Sequence, residues 1–279
     1  MPKLSIITIN YNNATGLQKT MDSVFEQTFT DFEYLVIDGG SDDDSKELIK
    51  NHENKLVYWV SEKDKGVYHA MNKGIVKANG EYLLFLNSGD FLYSESSLSD
   101  FFDNSNGEDI VYGDVLRVSP DSQLMKSYPS QLSFSFFLQD SLHHQSIILK
   151  KSVFEKTGLY NESFKIVSDW LVSMNAICLY QASYKHVDNC VSIFPTNGIS
   201  SDPVYVELFK KERNEVIDQY YSAFIKDYQM ANDKAIALEE CRLLLKNTIN
   251  SNGYKFVKNI TSSNFYRSVK RIAGSFTRL

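Results

Sequence analysis

The chain has 279 residues, enough for one large domain or for one domain with an appendage. Its 43% hydrophobic and 23% charged content is ordinary for a soluble globular protein, and a formal net charge of -6 argues against general nucleic-acid binding. Cys178, Cys190 and Cys241 form no Cys-x-x-Cys pair and read as reduced thiols of a cytoplasm.

The start, "MPKLSIITINYNN", turns polar too soon for a signal peptide. No apolar run reaches the roughly 18 residues of a membrane span, so any membrane contact is expected to be peripheral. Charge is uneven along the chain. From Lys255 to Leu279 there are six basic residues and no acidic one. A basic tail on an acidic body suggests an anionic partner such as a membrane surface, or else a solvated terminus. Apolar residues interspersed through the tail allow a surface-binding helix or packing against the body.

In chain order, "LSIITI" (Leu4 to Ile9) predicts a buried strand, and "GLQKTMDSVFEQ" a helix carrying Leu17, Met21, Val24 and Phe25 on one face. "EYLVID" is a second strand ending at Asp38, "DSKELIKNH" a short helix, and "LVYWV" a third strand. "GVYHAMNKGIVKA" places Val67, Ala70, Met71, Ile75 and Ala78 on one helical face, and "YLLFL" is the fourth strand. Strict alternation predicts a parallel sheet covered by helices. Further on, "DIVYGDVLRV" (Asp109 to Val118) and "HHQSIILKK" (His143 to Lys151) look like strands. "SDWLVSMNAICLY" looks like a helix with Ser168 as N-cap, and "YKHVDNCVSIF" like a strand. From Pro203 onward the chain reads as helical, with a domain boundary near Ser200 to Pro203.

Ligands in such sheets bind beyond the carboxyl ends of the strands. Three of the first four strand ends carry acid: Asp38 and Asp42, then Glu62 and Asp64, then Asp90. Asn87, Ser88, Gly89 and Asp90 are also ordinary turn formers. Neither G-x-G-x-x-G after the first strand nor a Walker-type loop is present, so phosphate binding must rely on a metal or on basic groups. Asp90 suits a hard divalent cation, since Mg²⁺ takes one or two carboxylates and lets substrate phosphates supply the rest. Asp169 opens a helix near that rim. It is either a general base or an acid favoured by the helix dipole.

"SIITINYN", "EYLVIDGGSDDDS", "GVYHAMNKGI", "GEYLLFLNSGD" and "SDW" come in this order. Together they resemble the inverting glycosyltransferases of family 2, whose fold is called GT-A. The likeness is nearest to the bacterial branch that assembles capsule, O-antigen or exopolysaccharide repeats, and it covers about residues 1 to 200. It implies an α/β, Rossmann-like fold: a mostly parallel central sheet flanked by helices, with a helical C-terminal extension. The expected domains are a catalytic domain over 1–202, with a nucleotide-sugar part to about 118 and an acceptor part from about 119, and an extension over 203–279.

The resemblance also implies roles. Thr8, Asn10 and Tyr11 fall in the loop that holds base and ribose, and Asp38 matches the aspartate that bonds uracil. Gly66, Asn72, Asn87 and Ser88 join the donor-binding set. Asp90 matches the metal-binding aspartate, for Mn or Mg, and Asp169 the catalytic base. His144, Gln145, Trp170 and Ser200 fall in stretches that line the diphosphate and acceptor cleft. Trp170 is either core or a sugar platform. His143 and His144 are either ligands or hydrogen-bonded structural residues. Three positions depart from the pattern: Asn87 replaces its first acid, Ser168 precedes the base, and Met71 stands where an arginine is common, with Lys65 or Lys73 as a substitute.

The expected activity is metal-dependent hexosyl transfer from a UDP-sugar to a glycan or a polyprenyl-diphosphate-linked acceptor. The expected location is cytoplasmic, peripheral on the inner membrane face. The alternative is a non-catalytic nucleotide-sugar-binding subunit of a polysaccharide synthase complex. A sugar nucleotidyltransferase lacks support, because its Gly-rich, Arg-containing amino-terminal loop is absent.

Overall fold

A computed structural model describes residues 1–196 and 203–250. In chain order the elements begin β1 (Leu4–Asn10), α1 (Ala14–Phe25), β2 (Phe32–Asp38), α2 (Ser45–Asn51), β3 (Tyr58–Ser61), α3 (Val67–Lys77) and β4 (Tyr82–Phe85). They continue with β5 (Phe91–Leu92), α4 (Ser97–Asp103), β6 (Ile110–Ser119), β7 (Ser122–Lys126), α5 (Phe134–Gln139) and β8 (Ile147–Lys150). The last are α6 (Val153–Thr157), α7 (Ser168–Cys178), β9 (Tyr184–Pro195), α8 (Val206–Tyr220) and α9 (Ser222–Asn250).

The strands form one sheet in the order β3-β2-β1-β4-β8-β6-β9-β5, with β7 paired to β6. β1 to β4 are mutually parallel, as the alternation predicts. Every residue of β1 is buried, because helices cover both faces of the strand. Leu17, Met21 and Val24 of α1 pack with Leu4, Ile6, Tyr34 and Val36 in one core. β8 then enters antiparallel to β4, and β6 antiparallel to β8, so β6 again runs in the direction of β4. This brings the carboxyl ends of β1, β2, β4 and β6 to one rim.

Two local expectations need correction. "HHQSIILKK" is a strand only from Ile147; His144–Ser146 form a 3₁₀ turn closed by Ser146 N–H on His143 O at 2.9 Å. Ser168 is not the N-cap of α7. Val167 holds that position, and the Ser168 hydroxyl accepts from Asn161 N at 2.6 Å instead.

The chain divides into two compact units, Met1–Val216 and a second that begins at Ile217. The first takes in most of α8. Among the described residues, no helix is long and apolar enough to cross a membrane. Ser200 and the basic segment from Lys255 lie outside the described residues.

Candidate active site

Asp38 ends β2 fully buried. Its Oδ1 accepts from Asn10 Nδ2 at 2.7 Å and Ser41 Oγ at 2.5 Å, and its Oδ2 from Ser61 Oγ at 2.6 Å and Ser41 N at 3.0 Å. Burial alone would raise its pKa, but the donors from Ser41, Ser61 and Asn10 outweigh it and hold the carboxyl below its ordinary value. Tyr11 is 67% exposed at the same rim, its ring beside Gly39.

The turn after β4 is tied to α1. Thr20 Oγ1 donates to Asp90 O at 2.7 Å, and Gly89 N donates to Thr20 Oγ1 at 3.0 Å. Gly89 sits at φ 107°, a backbone conformation that glycine adopts without strain. Asn13 Nδ2 donates to Ser88 O at 2.8 Å. The Asn87 side-chain oxygen is buried and has no hydrogen-bond partner.

Asp169, in the first turn of α7, is held from three directions. Oδ1 accepts from Tyr68 OH and from Trp170 N, each at 2.9 Å, and Oδ2 lies 3.2 Å from His144 Nδ1. The other ring nitrogen, His144 Nε2, lies 3.7 Å from Asp90 Oδ2, too far for a hydrogen bond. Burial by itself would lower the His144 pKa, but the Asp169 and Asp90 carboxylates raise it to about 9. Burial would likewise raise Asp169, and His144 brings it below the ordinary carboxylate value. The His144 imidazole therefore stands between the Asp90 and Asp169 carboxyls with its protonated form favoured. His143, one residue away, is pushed the other way, down to about 4, by burial and by the neighbouring His144 and Arg117 charges. It contacts Tyr128 OH through Nδ1.

The turn after β4, His144 and Asp169 open on a cavity of about 1050 Å³, lined among others by Asn87, Asp90, His144, Gln145 and Asp169; Asp38 lies outside its lining. That is large enough for a drug-sized ligand or a nucleotide. Residues 5–160 match the family described as glycosyl transferase family 2. The chain belongs to glycosyl transferase family 2. It is 32% identical over 221 residues to a PGL/p-HBAD biosynthesis glycosyltransferase of Mycobacterium bovis, covering 75% of this chain and 84% of that one. Among solved structures, S. aureus TarS 1-349 in complex with UDP-GlcNAc superposes with a TM-score of 0.60 at 21% identity, over 73% of this chain and 62% of that chain. The mannosyltransferase PcManGT from Pyrobaculum calidifontis, in complex with GDP-Man and Mn2+, does so with a TM-score of 0.55 at 13% identity, over 94% and 88%. Both likenesses bear on the fold, which is that of the GT-A glycosyltransferases.

Among the described residues of this family 2 glycosyltransferase, no group of three or more His, Cys, Asp or Glu forms a ready-made metal cage. The donor set still fits a divalent cation. Asp90 offers a carboxylate and Asn87 a buried amide oxygen without a partner, both hard oxygen ligands.

Several residues expected at the donor are placed elsewhere. Thr8 is fully buried in β1, its hydroxyl paired with Tyr34 OH at 2.8 Å. Asn72 spends its side chain on the backbone of Tyr160, donating to O at 2.9 Å and accepting from N at 3.0 Å, and on Glu162. Both side chains are buried and hydrogen-bonded within the protein. Lys73 is committed to Glu62 and Asp64. Trp170 is 2% exposed; its Nε1–H donates to Phe137 O at 2.9 Å and Arg213 covers its ring, so it is core rather than a sugar platform. Gly66, at φ 143°, caps the start of α3 in open space. Sequence reasoning missed Tyr68 as a partner of Asp169, since the contact joins segments about a hundred residues apart. It also missed Arg117, on β6.

Proposed function

We propose that this glycosyltransferase moves a sugar from a UDP-sugar to a hydroxyl of a glycan or lipid-linked acceptor, with inversion at the anomeric carbon. The observation that supports it best is the pairing of Asp90 and Asp169 across His144 on one cavity. Asp90 and Asn87 would hold the divalent cation, which when bound neutralises the charge of the departing diphosphate.

Asp169 takes the proton from the acceptor hydroxyl through Oδ2. Tyr68 and the Trp170 amide fix Oδ1, so the carboxylate cannot swing away from that task. His144 Nδ1 holds Oδ2 of Asp169 from the side that faces Asp90. The hydroxyl attacks the face opposite the leaving nucleotide, so an α-linked donor yields a β-glycoside. Asp38, Asn10 and Tyr11 shape the end of the rim where the base would lie.

A panel of nucleotide-sugars assayed for nucleotide release, with the product's anomeric configuration read by proton NMR, tests this. A UDP-sugar is expected to give the highest rate, and the product bond the opposite configuration to the donor's. Retention of configuration would exclude this chemistry. Donor binding without turnover on any acceptor would favour a non-catalytic binding subunit.

A further inference from the structure

Arg117 is the only arginine in the first 212 residues, and it lines the cavity. Among the described residues it forms no ion pair, whereas neighbouring side chains have partners: Lys126 with Asp140, His186 with Asp114, and His144 with Asp90 and Asp169. Its Nε is buried without a hydrogen-bond partner. Gln145, 1% exposed and lining the same cavity, has both amide atoms buried and unpartnered. Buried polar groups without partners are rare in native proteins, and a cluster of them facing a cavity marks where a ligand supplies the missing bonds. Lys19 and Lys165 add positive charge to the lining.

The topology says which ligand. β2, with Asp38, lies two strands to one side of β4, and β6, with Arg117, lies two strands to the other. At the usual spacing each is about 10 Å from β4. Asp90 follows β4 and so lies between them. With the nucleotide at Asp38 and the diphosphate at Asp90, the donor's sugar lies just beyond Asp90, and Arg117, about 10 Å further along the sheet, is left to the acceptor.

We infer that the acceptor carries an anionic group, a phosphate or a carboxylate, received by Arg117 and Gln145. Arginine suits the task, because its planar fork offers paired N–H donors to either oxyanion. The Gln145 amide adds a neutral donor that tolerates the buried position. The inference rests on the proposed donor chemistry, since it assigns the donor to the Asp38 side.

The test uses the full chain saturated with UDP and Mn²⁺, so that the nucleotide and diphosphate part of the donor site is filled. Calorimetry then compares geranyl phosphate with geraniol, and glucuronate with glucose. At least one anion is expected to bind about ten- to hundredfold more tightly than its neutral counterpart. Preference for geranyl phosphate assigns the group to a lipid phosphate, and preference for glucuronate to an acidic sugar. Arg117→Gln should remove the preference while UDP affinity stays within about twofold, which also reports that the variant is folded. Arg117→Lys should keep part of it. No preference in the wild type, or one that survives Arg117→Gln, overturns the inference. Failure of the wild type to bind UDP would instead bring down the donor reading on which it rests.

Discussion

The two ends of the rim solve the problem of buried polar groups in different ways. Around Asp38 both carboxylate oxygens are satisfied from Asn10, Ser41 and Ser61, while Asn10 Oδ1 and, beside Gly39, Asp64 Oδ2 are left over. Around Asp90, the Asn87 oxygen, His144 Nε2, both Gln145 amide atoms and Arg117 Nε are buried without hydrogen bonds. The first end is tied together by its own hydrogen bonds and holds a shape. The second carries a desolvation cost that ligands would offset. A transferase benefits from this division. On the proposed reading, the Asp38 end recognises the nucleotide and is best kept rigid, while the Asp90 end must exchange diphosphate and acceptor at each turnover.

The strongest way to break the comparison is to disable the reacting end alone. Asp169→Asn should lower transfer by about 10²- to 10⁴-fold, the usual scale for a removed general base, and leave UDP binding intact. Tyr68→Phe should cost less, since it removes one of the two bonds that fix Oδ1 without removing the base. Near-normal turnover by Asp169→Asn would mean that another group takes the proton. Next in size is the ion. Chelation, or Asp90→Ala, should weaken UDP binding by about ten- to hundredfold, and added Mn²⁺ should restore it only in the wild type. Equal UDP affinity with and without metal would remove Asp90 from that role.

The self-contained end was the more legible from sequence, because its groups come from strand ends that hydrophobic runs announce. Asp38, Tyr11 and Asp90 could be put on one rim by counting β–α alternations. Thr8 could not be oriented. A strand buried on both faces reads as a continuous apolar run and hides which face each residue takes. Asn72 and Trp170 look functional by type, yet their partners are the Tyr160 and Phe137 backbones, which no local pattern reveals. The Asp169 triangle joins α3, the 3₁₀ turn and α7, so it exists only in the fold. β8 entering antiparallel broke the simple alternation, and short elements such as β5 and β7 carry too few residues to show a period. Arg117 did leave a trace, as a lone arginine where every other fixed cation before Arg213 is lysine.

A smaller effect sharpens the comparison from the structural side. Asn72→Ala strands the Tyr160 backbone groups and should cost about 1–3 kcal/mol of stability. On a unit of this size that lowers Tm by roughly 2–4 °C per kcal/mol. UDP affinity of the folded variant should not change. The reverse outcome, intact Tm with lost UDP binding, would return Asn72 to the donor site.

The smallest expected effect concerns pH and probes whether the Asp38 end is as self-sufficient as its hydrogen bonds suggest. Burial works against its ionised form, and the donors from Ser41, Ser61 and Asn10 prevail, so the folded pKa lies below the unfolded value of about 3.9. A carboxyl depressed in this way adds stability that is fully present above the unfolded pKa. The contribution is lost as pH falls through the folded one. Asp43, Asp109 and Asp169 are depressed as well, so the acid limb of the wild type alone cannot be assigned to Asp38. The difference between wild type and Asp38→Asn can, because the other carboxyls cancel. Urea denaturation should therefore show a stability gap that is constant from pH 7 to about pH 5 and narrows below about pH 4. A gap of the same width at pH 3 would mean that Asp38 gains nothing from its ionised form, and that its network only fills space.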